Sequence, residues 1–273
     1  MVLIKKHENR NRTLETMENE EFDIMYKTEQ SHWWFRGKQD ILRRSLCTLS
    51  KKTSEKNKIL DIGAGTGVVL KVLQDFGETF GIEHSLHAIK YLKDRGLKQI
   101  ICADANQSIP FKNDTFTFIT CLDVLEHLEK DVELLNEMVR ISKPGGYIIV
   151  AVPAFKMFWS QHDIALHHKR RYTKKQLLRI LKKIDCQIIK VTYYNIILSL
   201  PILAVRKFKS IFHRNKPIQS DVFMNFPNFL NILFGFLYKA EIWCLKFINF
   251  PFGVSILFVL KKYSENQFVN VER

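Results

Sequence analysis

At 273 residues, with 46% hydrophobic and 26% charged residues, the chain is too apolar for a disordered protein and long enough for one large core, alone or with a small appendage. Its five cysteines, Cys47, Cys102, Cys121, Cys186 and Cys244, are widely spaced and form no C-x-x-C pair, which argues against a disulfide scaffold or a zinc ribbon and for reduced thiols in a cytoplasmic setting. The formal net charge is +14, and Ile164 to Ser220 supplies nearly all of it, with 14 Lys or Arg against one acid, Asp185. Such a stretch suits an anionic partner (nucleic acid, an anionic membrane surface or a phosphorylated substrate), or it is a solvated, lysine-rich helix face.

In chain order, residues 1 to 25 are polar and charged, without an apolar core long enough for a signal peptide, and read as a loose leader. An aromatic and basic stretch, Glu29-Gln-Ser-His-Trp-Trp-Phe-Arg36, precedes a helix expected over Lys38 to Leu49. From Lys58 the pattern alternates. Apolar strands are expected at 58–62, 79–83, 98–103, 116–122 and 146–152, with amphipathic stretches at 66–76, 85–95 and 129–141 between them. This rhythm implies a parallel sheet covered by helices on both faces. Lys143-Pro144-Gly145-Gly146 reads as a turn before the fifth strand.

Beyond Val152 the rhythm changes to a loop rich in His, Arg and aromatics up to Tyr172, then a helix capped by Thr173 and running to Ile184, and a β-type run from Cys186 to Tyr194. About sixty apolar, aromatic residues interrupted by Pro201, Pro217 and Pro227 follow, and a last strand is expected at Gly253 to Leu260. Val222 to Tyr238 carries no charge, but its 17 residues include three asparagines and a proline, which falls short of a membrane span. Basic residues beside aromatic stretches fit a segment lying in a membrane interface, and a buried lid or a dimer surface is the alternative.

The most informative stretch is Ile59-Leu-Asp-Ile-Gly-Ala-Gly-Thr-Gly67, an apolar run ending in a glycine turn before a helix. Glycines let the backbone approach a nucleotide-like ligand and adopt positive φ. Glu83 closes the second apolar run, 22 residues after Asp61, where a carboxylate can accept from both hydroxyls of a ribose. Asp104 and Ala105 follow the third run, Asp123-Val-Leu-Glu-His127 follows the fourth, and Lys-Pro-Gly-Gly precedes the fifth. A dehydrogenase would share the glycine turn but would not call for the last two stretches.

Taken together, these features resemble class I S-adenosylmethionine-dependent methyltransferases. With Glu29–Arg36, Pro153-Ala-Phe, His162-Asp163, His167–Tyr172 and Phe250–Ser255, the chain looks like a bacterial group that often accompanies glycan, lipid-linked sugar or secondary-metabolite pathways; the likeness spans about residues 26 to 262. The resemblance implies a Rossmann-like α/β fold with a seven-stranded, mostly parallel sheet, helices on both faces and an antiparallel last strand inserted between the fifth and sixth. The long apolar insertion before that strand departs from the family's short hairpin. Expected divisions are the leader at 1–25, an N-terminal cap over the cofactor site at 26–57, the core at 58–195, the apolar and basic helical insertion at 196–251, the last strand at 252–262 and a tail at 263–273.

The resemblance assigns cofactor contacts to Asp61, Gly63, Ala64, Gly65, Gly67, Glu83, His84, Asp104, Ala105 and Asp123, with S-adenosyl-L-homocysteine as the product. Trp33, Trp34 and Arg36 form either a lid over the cofactor, with His32 or Arg36 pairing its carboxylate, or ordinary core. His162 and Asp163, in the loop after the fifth strand, are the first candidates for a general base, or else a loop-fixing pair; His127 is next. His167, Arg170, Arg171 and Tyr172 are candidates for holding an anionic substrate group, against a helix-start ion pair. No metal site is expected, because His167 and His168 lack carboxylates at helical spacing. The expected acceptor is a hydroxyl of a glycan, lipid-linked sugar or related molecule near the inner face of a membrane. A quinone or polyketide-type acceptor is the alternative; RNA is disfavoured by the lack of an N/D-P-P-Y-like stretch, and the apolar insertion leaves room for a homodimer.

Overall fold

The computed structural model describes residues 19–53, 57–204 and 227–264. Five parallel strands come first: β1 (Lys58–Ile62), β2 (Glu78–Glu83), β3 (Ile100–Cys102), β4 (Phe116–Leu122) and β5 (Ser142–Pro153). β6 (Gln187–Tyr194) and β7 (Ser255–Lys261) complete a seven-stranded sheet in the order β3-β2-β1-β4-β5-β7-β6, with β7 antiparallel to both neighbours. This is the expected arrangement, including the insertion of the last strand beside the fifth.

The sheet is buried on both faces, which is why its strands read as continuous apolar runs. Along β5, Tyr147, Ile149 and Ala151 point into one core while Ile148, Val150 and Val152 point into the other. The first core is closed by α2 (Trp33–Leu49), α3 (Val68–Leu73), α4 (Leu86–Asp94) and α8 (Asn228–Cys244). The second is closed by α5 (Asp131–Ile141) and α7 (Lys174–Leu181). Each fully buried Leu or Ile in these layers contributes roughly 1.5–3 kcal/mol. Thr173 caps α7 as expected: its hydroxyl accepts from the N–H of Gln176 at 3.3 Å, and the Gln176 side chain accepts from the N–H of Thr173 at 2.9 Å.

Three local expectations are corrected. The leader is not loose throughout, because α1 (Asn19–Thr28) already occupies its end; residues 1–18 lie outside the described set. α2 begins at Trp33, five residues before the expected start, since His32 caps it through Nδ1, which accepts from the N–H of Trp34 at 3.3 Å. Lys143-Pro-Gly-Gly is a bulge within β5: pairing with β4 holds at Ser142, is interrupted, and resumes at Tyr147.

The insertion joins the fold through α2. The N–H of Trp33 donates to Oδ1 of Asn231 at 2.8 Å, and the Trp33 ring meets Phe234 and Tyr238 edge-on, with centroids 5.7 and 5.9 Å apart. Gly37 is required there, because a Cβ would lie 1.8 Å from the Tyr238 ring. Glu241, buried on the same face of α8, accepts from the N–H groups of Ile196 at 2.9 Å and Ile197 at 3.1 Å, so it secures the chain as it leaves β6. Residues 205–226, with five of the basic residues counted above, lie outside the described set. Among the described residues no helix is long and apolar enough to cross a membrane.

Candidate active site

The site lies at the C-terminal ends of β1 to β5, the end at which open α/β sheets bind ligands. The turn after β1 carries positive φ at Gly63 (73°), Gly65 (53°) and Gly67 (92°), values that L-residues adopt at a cost. A Cβ on Gly63 would come 2.3 Å from Val124, whereas one on Gly65 would meet nothing within 4 Å. The turn therefore packs tightly against the loop after β4 at one end and faces open space in its middle. The N–H of Gly65 donates to one oxygen of Glu83 and the N–H of Ser85 to the other, each at 2.8 Å. The Glu83 carboxylate thus ties the first turn to the second. His84 lies beside it, Nδ1 to Oε1 at 3.3 Å, and this contact raises the imidazole pKa.

Asp61 is 2% exposed and accepts from the hydroxyl of Thr120 on β4 at 2.6 Å. Burial pushes its pKa up to about 8. It braces β1 against β4 beneath the turn. Asp104 bends the loop after β3, its Oδ1 accepting from the backbone N–H of Asn106 at 2.8 Å, and Ala105 packs inward from there. The open face at Gly65 and the carboxylates that close β2 and follow β3 stand together at this end of the sheet.

Asp123 follows β4 with φ of 55° and forms an ion pair with Lys38 of α2, whose ammonium lies 5.3 Å from the centre of the Trp34 ring. Trp34 is therefore at the rim of the site, while Trp33 turns away into α8. Arg36 is exposed on α2. Burial lowers the His32 pKa to about 4, and its Nδ1 is engaged as the helix cap.

The pairing of His162 with Asp163 is corrected. Both sit in α6 (Gln161–Ala165), where adjacent side chains diverge by roughly 100°. Asp163 instead meets His168, Oδ1 to Nδ1 at 2.8 Å, and accepts two bonds from Arg171 at 2.7 and 3.1 Å. Burial would raise its pKa, but His168 and Arg171 outweigh this and hold it well below the usual carboxylate range. Arg171 also donates to the carbonyl of Ala154 at 3.0 Å, so its guanidinium serves the loop and is not presented to a substrate. Tyr172 is likewise buried, its hydroxyl donating to Asp131 at 2.9 Å. Arg170 pairs with the same Asp131 at 3.1 Å while keeping partial exposure, and His167 turns the chain with φ of 54°. Of the four expected substrate contacts, Arg171 and Tyr172 hold the loop instead.

His127 sits in the turn Leu125–His127 with its ring edge-on to His168, centroids 4.7 Å apart. Burial, helped by His168, lowers its pKa to about 3, so it is a neutral imidazole. Glu126 beside it is fully buried; burial and the neighbouring Asp123 push its carboxyl well above the usual range.

Glu29 has a role that sequence reasoning missed. It is fully buried, accepts from the hydroxyl of Thr66 in the glycine turn at 2.6 Å and pairs with Arg95, which also donates to the carbonyl of Thr66 at 2.7 Å. The turn between α1 and α2 is thereby fastened to the cofactor loop. The stretch containing Glu29 stands out in the sequence, but its partner lies 66 residues away.

A sheet of this order, a glycine turn after β1 and acids after β2 and β3 define the fold and cofactor end of a class I methyltransferase. Residues 60–150 match the family model described as a methyltransferase domain, so the chain carries the catalytic domain of an S-adenosylmethionine-dependent methyltransferase. An uncharacterized protein of Methanocaldococcus jannaschii is 27% identical over 174 residues, covering 61% of this chain and 82% of that protein. A demethylmenaquinone methyltransferase of Corynebacterium urealyticum is 30% identical over 131 residues; these cover 45% of this chain and about half (56%) of the enzyme. A crystallised S-adenosylmethionine-dependent methyltransferase of Archaeoglobus fulgidus shares the fold with a TM-score of 0.50 at 18% identity, covering 82% of this chain and 94% of that one.

Proposed function

We propose that this methyltransferase acts on a hydroxyl of a glycan, lipid-linked sugar or related small molecule presented at the inner, anionic surface of a membrane. The observation that carries the reading is the outer face of α8. There Phe229, Ile232, Phe236 and Trp243 are each more than half exposed, in steps of three, four and seven residues, while Tyr238, Glu241 and Ile242 on the opposite face are buried. Phe247 just beyond the helix extends the stripe, with Lys246 5.6 Å over its ring, and Lys239 is exposed on the same side. An apolar stripe flanked by lysines suits the boundary between headgroups and acyl chains. The basic character of 164–220 would add attraction to anionic headgroups. Occupation of the stripe by a second copy of the chain is the competing arrangement, and a self-associating protein that ignores vesicles would show it.

Bound S-adenosylmethionine supplies an electrophilic methyl on a sulfonium sulfur. Residues of the chain then have two tasks. The glycine turn, Ala64, Glu83 and Asp104 hold and orient the cofactor, with Asp61 and Glu29 fixing the turn from beneath. Asp123, Lys38 and Trp34 border the space where the acceptor enters, and orientation there supplies several kcal/mol of barrier lowering.

Methyl-labelled S-adenosylmethionine added to an extract of the source cells, followed by separation into lipid, soluble and RNA fractions, tests the acceptor class. Label in phosphate- or sugar-bearing lipid is expected, and label confined to RNA would overturn the reading. Sedimentation with anionic vesicles should be lost in Phe236→Asp, whereas equal failure to sediment with anionic and neutral vesicles would remove the membrane. A quinone acceptor is the second reading, favoured by the likeness to the demethylmenaquinone enzyme; the label would then travel with neutral prenyl lipid.

A further inference from the structure

We propose that Glu126, His127 and His168 form a binding site for a divalent first-row transition-metal ion. Their ligand atoms all lie within 4.8 Å of one another, and Nε2 of His168 is 3.9 Å from Oε1 of Glu126. Ligands about 2.1 Å from one ion and roughly 90–110° apart stand about 3.0–3.4 Å from one another, so the set closes with side-chain shifts on the order of 0.5–1 Å. Sequence spacing hid this grouping, because His168 comes 41 residues after His127 and reaches it only through the loop after β5.

Among the described residues, three of the polar atoms involved have no hydrogen-bond partner. Both oxygens of Glu126 and Nε2 of His168 are buried without a hydrogen-bond partner, and the two side chains are 0% and 4% exposed. Leaving such groups unpaired costs a few kcal/mol each. The separation of 3.9 Å is too long for a hydrogen bond between a protonated Glu126 and His168, so that bond does not resolve the matter.

The surroundings have the form of a metal site's outer support. Nδ1 of His168 bonds to Asp163 at 2.8 Å, which places the lone pair on Nε2, facing Glu126, and Arg171 clamps Asp163 from behind through both carboxylate oxygens. A carboxylate fixing the remote nitrogen of a ligand histidine is the usual second layer. His127, whose ring centroid lies 4.7 Å from that of His168, offers a second nitrogen. Two imidazoles and one carboxylate suit zinc, iron(II), manganese or cobalt, and leave coordination positions open. The site stands on this geometry alone. A part in lowering the pKa of an acceptor hydroxyl would rest in addition on the function proposed above.

The test uses the full chain, stripped with chelator and titrated with Co²⁺ and then Zn²⁺. Expected are one ion per chain, visible ligand-field absorption from the cobalt form that zinc abolishes, and a rise in melting temperature with either ion. Glu126→Gln and His168→Gln should each weaken binding by at least ~100-fold, and Asp163→Asn by about 10–100-fold. S-adenosylmethionine binding, measured on the same samples, should be unchanged, which separates loss of this site from loss of the fold or of the methyltransferase reading. No saturable Co²⁺ binding to the wild-type chain would overturn the proposal. Equal affinity in the two Gln variants would overturn it too, by placing the ion elsewhere. If those variants fail to fold, the wild-type spectrum and melting shift decide.

Discussion

The cofactor half of the sheet, β1 to β4 with their turns, and the layer formed by α2 and α8 both bury aromatic and aliphatic side chains, for opposite kinds of organisation. In the first, each functional group sits at a strand end, a position that chain pattern announces: Glu83 ends β2, Asp104 follows β3, Asp123 follows β4. In the second, every contact that matters joins distant residues, as Trp33 with Asn231, Gly37 with Tyr238 and Glu241 with Ile196. The comparison teaches that the ligand-holding end is encoded locally, whereas the element shaping access to it is encoded by long-range packing. Glu29 is where the two meet, since it belongs to the α1–α2 turn and holds the glycine loop.

That boundary is where the largest effect is expected. Glu29→Ala leaves Arg95, 7% exposed, buried without its carboxylate. Unpaired buried charges cost 3–5 kcal/mol, so urea unfolding should show a loss of about that size, together with weaker cofactor binding. A loss below about 1 kcal/mol would mean that α1 is an independent appendage. Next comes Glu83→Ala, which removes the partner of Gly65 and Ser85 and the ribose acceptor; calorimetry should show cofactor affinity down by at least ~100-fold, about 2.8 kcal/mol. Unchanged affinity would refute the assignment of the strand-end carboxylates.

Gly37→Ala sharpens the contrast from the other side. The new methyl would collide with Tyr238, and overpacking of this kind costs about 1–3 kcal/mol. Hydrogen exchange should quicken in α8 while cofactor affinity holds. If affinity fell together with α8 protection, the layer would be part of the cofactor site itself.

The smallest effect is a pH dependence at the start of α2. Burial lowers the His32 pKa from 6.5 to about 4, so the unfolded chain takes up a proton that the folded chain refuses across that window. Stability should therefore be full above pH 6.5 and decline as pH falls toward 4. Because His32 keeps partial exposure, solvent screening reduces the effect to about 1 kcal/mol. His32→Asn keeps a capping side chain and removes the titration, so denaturant midpoints of the two proteins should diverge between pH 6.5 and 4, with the wild type falling faster. Parallel curves would show that the imidazole protonates in place.

Much of the fold was legible. The strands of the parallel run, the capping of α7 by Thr173 and the antiparallel insertion of β7 all appear where pattern or family likeness put them. The start of α2 was not, because histidine is an uncommon cap and two tryptophans look more like a loop anchor than a first helical turn. The site divided in the same way. Asp61, Gly63, Gly65, Glu83, Asp104 and Asp123 gather at one end of the sheet, but Asp163, next to His162 in sequence, is directed to His168 and Arg171.

The sequence by itself determined the α/β order, the glycine turn and the acids that end the strands, since these depend on apolar periodicity, glycine's access to positive φ and distances of a few residues. Tertiary structure alone decided that Asp163 serves His168, that Arg171 and Tyr172 hold the loop, that Glu126 faces two histidines, and that α8 buries one apolar face while presenting the other. Those outcomes turn on which side chains fill a shared volume and which charges find partners away from water, quantities that exist only once the chain has closed on itself.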